Sequence, residues 1–231
     1  MIDYTIINEK LMKGMKLRID VGLSMNMPNT LKWLNDDEDV YVVGIEPHPN
    51  NFKSCCSHLE THHAGNRCYL IEAAVDNVAM PTQRDFYGLG GPATGNDPGT
   101  SSLCKPIGRF EGATQQVYSV ECLPLSDLCN KLAYNKVIDV VKTDTQGNDL
   151  RVLKSLGEHI KNVKYIYAEY DESEDYEGGN TGEELEAFLQ EVGFERYNTI
   201  RVPERNNKIV DCEYRNLNIN DSDRGPRWNS D

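Results

Sequence analysis

No apolar stretch in these 231 residues approaches the roughly 20 that a membrane-spanning helix needs. Charges stand among the first ten residues, so no secretory leader is read there either, and the expected location is cytoplasmic. Positive charge is scarce: 24 Lys and Arg face 37 Asp and Glu, and the net charge of −13 sets aside nucleic acid and anionic membranes as main partners, because both would be repelled. The seven cysteines (Cys55, Cys56, Cys68, Cys104, Cys122, Cys129 and Cys212) contain no C-x-x-C pair and are odd in number, which fits reduced thiols rather than a disulfide framework. No second glycine lies between Gly22 and Gly44, so the G-x-G-x-x-G turn of a nicotinamide-dependent dehydrogenase is missing. Two metal readings also fail. His58, His62 and His63 lack a carboxylate or cysteine partner at helical spacing. The acidic run Asp171 to Glu177 has Tyr176 where a calcium loop needs glycine, and it reads as a solvated loop.

What is present is organised around residues 16–26. Ile19 and Val21 read as a buried strand that Gly22 stops at a tight turn, and Ser24 to Asn26 offer small polar caps to a helix opening near Pro28. Such a junction aims backbone N–H groups and a positive helix end at one point, which suits a nucleotide-like or carboxylate-bearing ligand. Asp20 would face the same crevice and could hold an ammonium group. Beyond it, the run 40–47, ending abruptly in Glu46-Pro47, lacks alternation and reads as a strand covered on both faces, as in a parallel sheet, and further strands are read at 67–75, 137–144 and 163–170. Helices are expected over 48–62, 125–132 and 148–156, and from Thr181, which forms a capping box with Glu184, to the stop at Gly193. Residues 1–15 read as a leading arm or helix. The glycine- and proline-rich stretch 81–116 reads as a loop-rich insertion near the active site, followed by a returning strand at 117–123. Two antiparallel strands at 194–202 and 208–217 close the sheet, and 218–231 is a polar tail. The expected fold is therefore α/β: a Rossmann-like, seven-stranded, mostly parallel sheet with helices on both faces and an antiparallel C-terminal strand, in a single domain over 1–217.

Three strands end in carboxylates: Glu46, Asp144 and Glu169. Ligands in open α/β sheets sit at the carboxyl ends of the strands, so three acids converge where a ligand belongs. Glu46 comes 24 positions after Gly22, where nucleotide-binding sheets place the acid that accepts ribose hydroxyls. The stretch from Glu72 to Val75 would lie beside the base, and Ser101-Ser102-Leu103 is the most site-like piece of the insertion. Lys142 and Asp144 are polar residues on an otherwise apolar strand, read either as a site pair or as an internal ion pair that pins the strand end.

In this order, Ile19-Asp20-Val21-Gly22, Gly44-Ile45-Glu46-Pro47-His48-Pro49-Asn50-Asn51-Phe52, the Ser101-Ser102 loop and the stretch from Ile138 to Leu150 resemble the motifs of class I S-adenosylmethionine-dependent methyltransferases of the FkbM type. The resemblance spans roughly residues 16–200 and departs at Ser24-Met25-Asn26, where a further glycine is usual. It implies S-adenosyl-L-methionine as cofactor. Asp20 and Gly22 would frame the methionine part, Glu46 would grip the ribose, and Ala73 and Ala74 would lie along the adenine. Ser24, Asn26, Pro47 and Ser102 complete the implied cofactor-binding set. The implied reaction is O-methylation of a hydroxyl on a sugar, glycan or small molecule, with Asp144, Lys142 and Glu169 as the catalytic group. Asp144 or Glu169 would take the proton directly and Lys142 would stabilise the developing oxyanion; magnesium or manganese held by the two acids is the less favoured mechanism. The competing reading is a non-catalytic binding or scaffold module that kept the fold.

Overall fold

The computed structural model of this protein describes residues 2–90, 98–132, 137–201 and 209–219. The first half alternates α1 (Tyr4–Met12), β1 (Lys16–Val21), α2 (Pro28–Asp36), β2 (Val40–Ile45), α3 (Pro49–Thr61) and β3 (Cys68–Ile71). Then come β4 (Ala74–Val75), β5 (Thr82–Leu89), β6 (Thr114–Leu123) and α4 (Leu125–Lys131). The chain continues through β7 (Ile138–Thr143), α5 (Asp149–Lys154), β8 (Val163–Asp171), α6 (Gly182–Glu191), β9 (Phe194–Arg201) and β10 (Ile209–Asn216).

Seven strands form one sheet in the order β3-β2-β1-β7-β8-β10-β9. The neighbours from β3 to β8 are parallel, and β10 is antiparallel to both β8 and β9. Burial explains the unalternating runs. Every residue of β2 and β7, and all of β1 but Lys16, is buried, because helices cover both faces. On one face Ile7 and Leu11 of α1 share a core with Val152 and Leu153 of α5 and Leu185 and Leu189 of α6. On the other, Trp33 and Leu34 of α2 pack against Val40, Val42 and Val140. The strand order reverses between β1 and β7, and at that reversal a crevice opens at the carboxyl ends of the strands.

Several local expectations are corrected. The strand read over 67–75 is two: β3 stops at Ile71, and β4 leaves to join a second sheet of order β4-β6-β5. The stretch 81–116, read as loop, carries β5, antiparallel to β6. Gly88 hides that strand in the sequence, yet a Cβ there would stand 2.6 Å from the Tyr118 ring, so glycine is what lets the aromatic lie across. Helix α2 is not capped by the polar residues 24–26. Its N-cap is Met27, fully buried, at φ +38° and without a side-chain cap hydrogen bond. The acidic loop after β8 is not merely solvated, since Asp175 and Tyr176 are buried. The capping box of Thr181 and Glu184 is present. All seven cysteines are free thiols. Among the described residues no helix is long and apolar enough to cross a membrane. Residues 220–231 of the expected polar tail and 91–97 of the expected insertion lie outside the described residues.

Candidate functional site

The site grows from the end of β1. Gly22 turns the chain at φ +81° and Ser24 follows in the left-handed region at φ +56°, a conformation that disfavours a side chain. The turn aims the Ser24 N–H at Glu46 Oε2, 3.0 Å away. The His48 N–H donates to the other oxygen, Oε1, at 2.9 Å. Glu46 is only 3 % exposed. Burial pushes its pKa up to about 7 against these two backbone bonds, the Lys142 charge and a hydrogen bond with the Asn51 side chain. His48 caps α3 by accepting the Asn50 N–H on Nδ1, and burial lowers its pKa. Its ring packs edge-on against Tyr118 at 5.0 Å.

Beside Glu46 runs a narrow cleft of about 50 Å³. Gly22, Ser24, Glu46, Pro47, Ala73, Ala74 and Asp144 all border it, so seven of the twelve candidate cofactor and catalytic residues come together. Asp20, Asn26, Ser102, Lys142 and Glu169 do not border it. Asp20 does hold an ammonium group, but it is the protein's own: Lys142 Nζ lies 3.3 Å from Asp20 Oδ1, and Thr30 Oγ1 donates to Oδ2 at 2.6 Å. Lys142 also donates to the Gly22 carbonyl at 2.5 Å and stands 3.8 Å from Asp144 Oδ2. Burial works against the Lys142 ammonium, but the Asp20 and Asp144 carboxylates outweigh it and hold its pKa above the ordinary value. Asn26 is exposed at the turn. Ser102 Oγ donates to the Gln146 carbonyl at 2.7 Å and ties the segment 99–103, which covers one side of the cleft through Gly99, Ser101 and Leu103, to the turn after β7.

Asp144 and Glu169 are joined by a residue the sequence reading passed over. Gln146, at φ +56°, donates its amide to Asp144 Oδ1 at 2.8 Å and to Glu169 Oε2 at 3.3 Å. Tyr176 donates to the Thr100 carbonyl at 2.6 Å and lies 3.1 Å from Gln146 Oε1, linking the loop after β8 to the covering segment. Beneath, Asp149 accepts from Thr143 Oγ1 and the Thr145 N–H, and burial raises its pKa to about 6. Ser101 and Leu103, expected as the site-like piece of the insertion, border the cleft as well, and so do Asn51, Thr145 and Asn148, which lie inside the quoted motifs but carried no expected role. Phe86, also on the border, lies outside every quoted motif and was missed. A second, wider cavity of about 630 Å³ adjoins through Asn51 and is bordered by Met25, His48, Asn50, Gln115, Gln116 and Tyr118. Among the described residues no three His, Cys, Asp or Glu gather as metal ligands.

A family model described as methyltransferase FkbM domain matches residues 24–196, well over half of the chain, though it begins just past the Gly22 turn. No curated protein matches. Among solved structures, the chain is similar to magnesium protoporphyrin IX methyltransferase from Synechocystis PCC 6803 with bound S-adenosylmethionine, at 9% identity over 92% of this chain and 76% of that chain, with a TM-score of 0.49. It is similar as well to precorrin-6y C5,15-methyltransferase from Geobacter metallireducens, at 13% identity over 92% of this chain and 86% of that chain, with a TM-score of 0.46.

Proposed function

This chain belongs to the FkbM methyltransferase family, and from that premise we propose that it uses S-adenosyl-L-methionine to methylate a hydroxyl oxygen of a neutral small molecule or glycan. Glu46 carries the reading. A nearly inaccessible carboxylate, it is held by one N–H on each oxygen and borders a cleft walled by Ala73 and Ala74. With the Asn51 side chain also bonded to it, the carboxylate keeps one free lone-pair direction for a ribose hydroxyl, and it suits the second hydroxyl where the Asn51 bond yields. The two alanines are small enough to lie along the adenine, with Pro47 beside the ribose. Gly22 and Ser24 meet the methionine part, and Asn26, exposed on the turn beyond them, is left outside the contact set. Asp20 acts from below, through Lys142, and Ser102 acts by holding the covering segment. At about 50 Å³ the cleft is well under the ~300–1,000 Å³ of a ligand pocket, so cofactor entry needs the segment 99–103 to swing outward.

When bound, the cofactor supplies an electrophilic methyl group. The hydroxyl that receives it is a weak nucleophile at neutral pH and needs a proton acceptor. Three observations support Asp144 in that role: it borders the cleft, its side chain is 44 % exposed, and Gln146 holds one of its oxygens. Lys142 steadies the strand end and keeps positive charge behind Asp144, while Glu169 shares the Gln146 amide. An amide donor between the two acids supports the metal-free mechanism, with magnesium or manganese as the alternative to be tested. The wide cavity suits the acceptor. Its border carries the carboxamides of Asn50, Asn51, Gln115 and Gln116 beside the His48–Tyr118 ring pair, and no Asp, Glu, Lys or Arg among the described residues. That surface, on a chain of net charge −13, favours a neutral hydroxylated ligand over nucleic acid. Free thiols fit a reducing, cytoplasmic setting.

Thermal melting with S-adenosylmethionine, S-adenosylhomocysteine and NAD tests the cofactor half of this reading. A ligand at 100 times its Kd adds about 2.7 kcal/mol of stability, expected for the first two alone. Stabilisation by none, or by NAD only, overturns it. Transfer of a labelled methyl group to a panel of neutral sugars and hydroxylated small molecules tests the other half. Binding without transfer to any of them would favour the non-catalytic module.

A further inference from the structure

Asn148, the residue before α5, is 1 % exposed. Its Nδ2 donates to the Val75 carbonyl at 2.9 Å. A carbonyl only accepts, so this bond fixes which end of the amide is nitrogen and turns Oδ1 the other way. That oxygen is buried and has no hydrogen-bond partner among the described residues. A buried acceptor left unpaired is disfavoured and marks a place where something is meant to donate. Asn148 borders the narrow cleft together with Ala74, Val75, Phe86 and Leu103. An apolar wall with one acceptor at its edge is the surface a flat aminopurine would fill.

Resting on the reading of this cleft as the cofactor site, we propose that Asn148 Oδ1 accepts a hydrogen bond from the 6-amino group of the adenine and selects adenine over purines that lack that donor. The cofactor's other donors are accounted for elsewhere. Its ribose hydroxyls belong to Glu46, and its ammonium group is poorly matched to a neutral amide set among apolar side chains. Titration calorimetry with S-adenosylhomocysteine and with its analogue carrying hydrogen in place of the 6-amino group tests the assignment. The wild type should bind the amino form about tenfold more tightly, and Asn148→Leu should bring the two affinities together. Taking the ratio within each variant cancels whatever is lost with the Val75 bond. Should Asn148→Leu fail to fold, Asn148→Ala reads the same ratio. Equal binding of both ligands by the wild type, or an undiminished preference in the variants, removes Asn148 from base recognition and leaves the cofactor site standing. Binding of neither ligand to the wild type overturns the site and the assignment together.

Discussion

Gly22 and Asp144 meet backbone to backbone: a Cβ on Gly22 would stand 2.0 Å from the Asp144 carbonyl oxygen. The contact follows from register. Val21 lies opposite Thr143 in the parallel pair β1 and β7, and the Asp144 N–H donates to the Val21 carbonyl at 3.1 Å. The turn that faces the cofactor and the acid proposed as base are therefore set by one close approach, which only glycine permits.

Gly22→Ala should lower stability by at least about 2 kcal/mol, since the φ of +81° is strained for alanine and the added carbon has backbone in its way. Urea unfolding reads this directly. A midpoint equal to that of the wild type would mean that the two strands separate easily and that their approach does not define the site.

Tyr176→Phe removes the hydroxyl that donates to the Thr100 carbonyl, and should cost about 1 kcal/mol. Its larger effect should be local. The neighbouring segment is pinned by the reciprocal backbone bonds of Tyr87 with Ser102 and by the Leu89 N–H to Ser101 Oγ. Loss of the Tyr176 anchor should speed amide exchange at Leu89 and Ser102, and S-adenosylhomocysteine should slow it again. Exchange unaltered by the substitution would show that Tyr176 does not govern the cover of the cleft.

The alternation of strands and helices, the Gly22 turn and the three strand-end acids were legible because they are local: buried runs without alternation, a glycine, an acid at each strand end. The Lys142–Asp144 question was legible only as a choice, and the structure shows Lys142 closer to Asp20 (3.3 Å) than to Asp144 (3.8 Å). What stayed hidden depends on distant pairings. Asn148 bonds a carbonyl 73 positions away, and Tyr176 bonds one 76 positions away. Neither leaves a trace in periodicity or spacing. The second sheet was hidden for another reason: β5 has an exposed first half and a glycine in its second, so no alternating pattern announces it.

Glu46 should make cofactor binding pH-dependent. Burial raises its pKa from 4.5 to about 7 in the ligand-free fold. Its contribution to stability is therefore full below the unfolded value and is lost, to roughly 3 kcal/mol, as pH rises through about 7. Ribose hydroxyls donate to the ionised form, so binding releases a proton and affinity for S-adenosylhomocysteine should rise about tenfold from pH 6 to pH 8. Glu46→Ala should weaken binding about tenfold to a hundredfold and flatten that slope. Calorimetry in two buffers of different ionisation heat counts the proton. An affinity independent of pH in the wild type would remove Glu46 from the ribose site.

Asp144→Asn is the sharpest test of the chemistry. The carboxamide keeps the shape of the strand end and an oxygen to accept from Gln146, whose amide now reaches Asp144 Oδ1 at 2.8 Å, so S-adenosylhomocysteine should still bind. What is lost is proton affinity at the atom facing the acceptor, and turnover on a verified acceptor should fall by about 10²–10⁴. Glu169, which shares the same amide, lies behind Gln146 and does not border the cleft. Glu169→Gln should therefore act through Asp144, with a smaller loss of turnover and unchanged cofactor binding. Chelation separates the two mechanisms. Because an amide donor already stands between the acids, EDTA should leave wild-type transfer intact. Loss restored by magnesium or manganese would mean that Gln146 yields its place to a cation. If both substitutions retain near-normal transfer, the base is neither acid. His48, which borders the wide cavity and whose pKa burial lowers, then becomes the next group to examine.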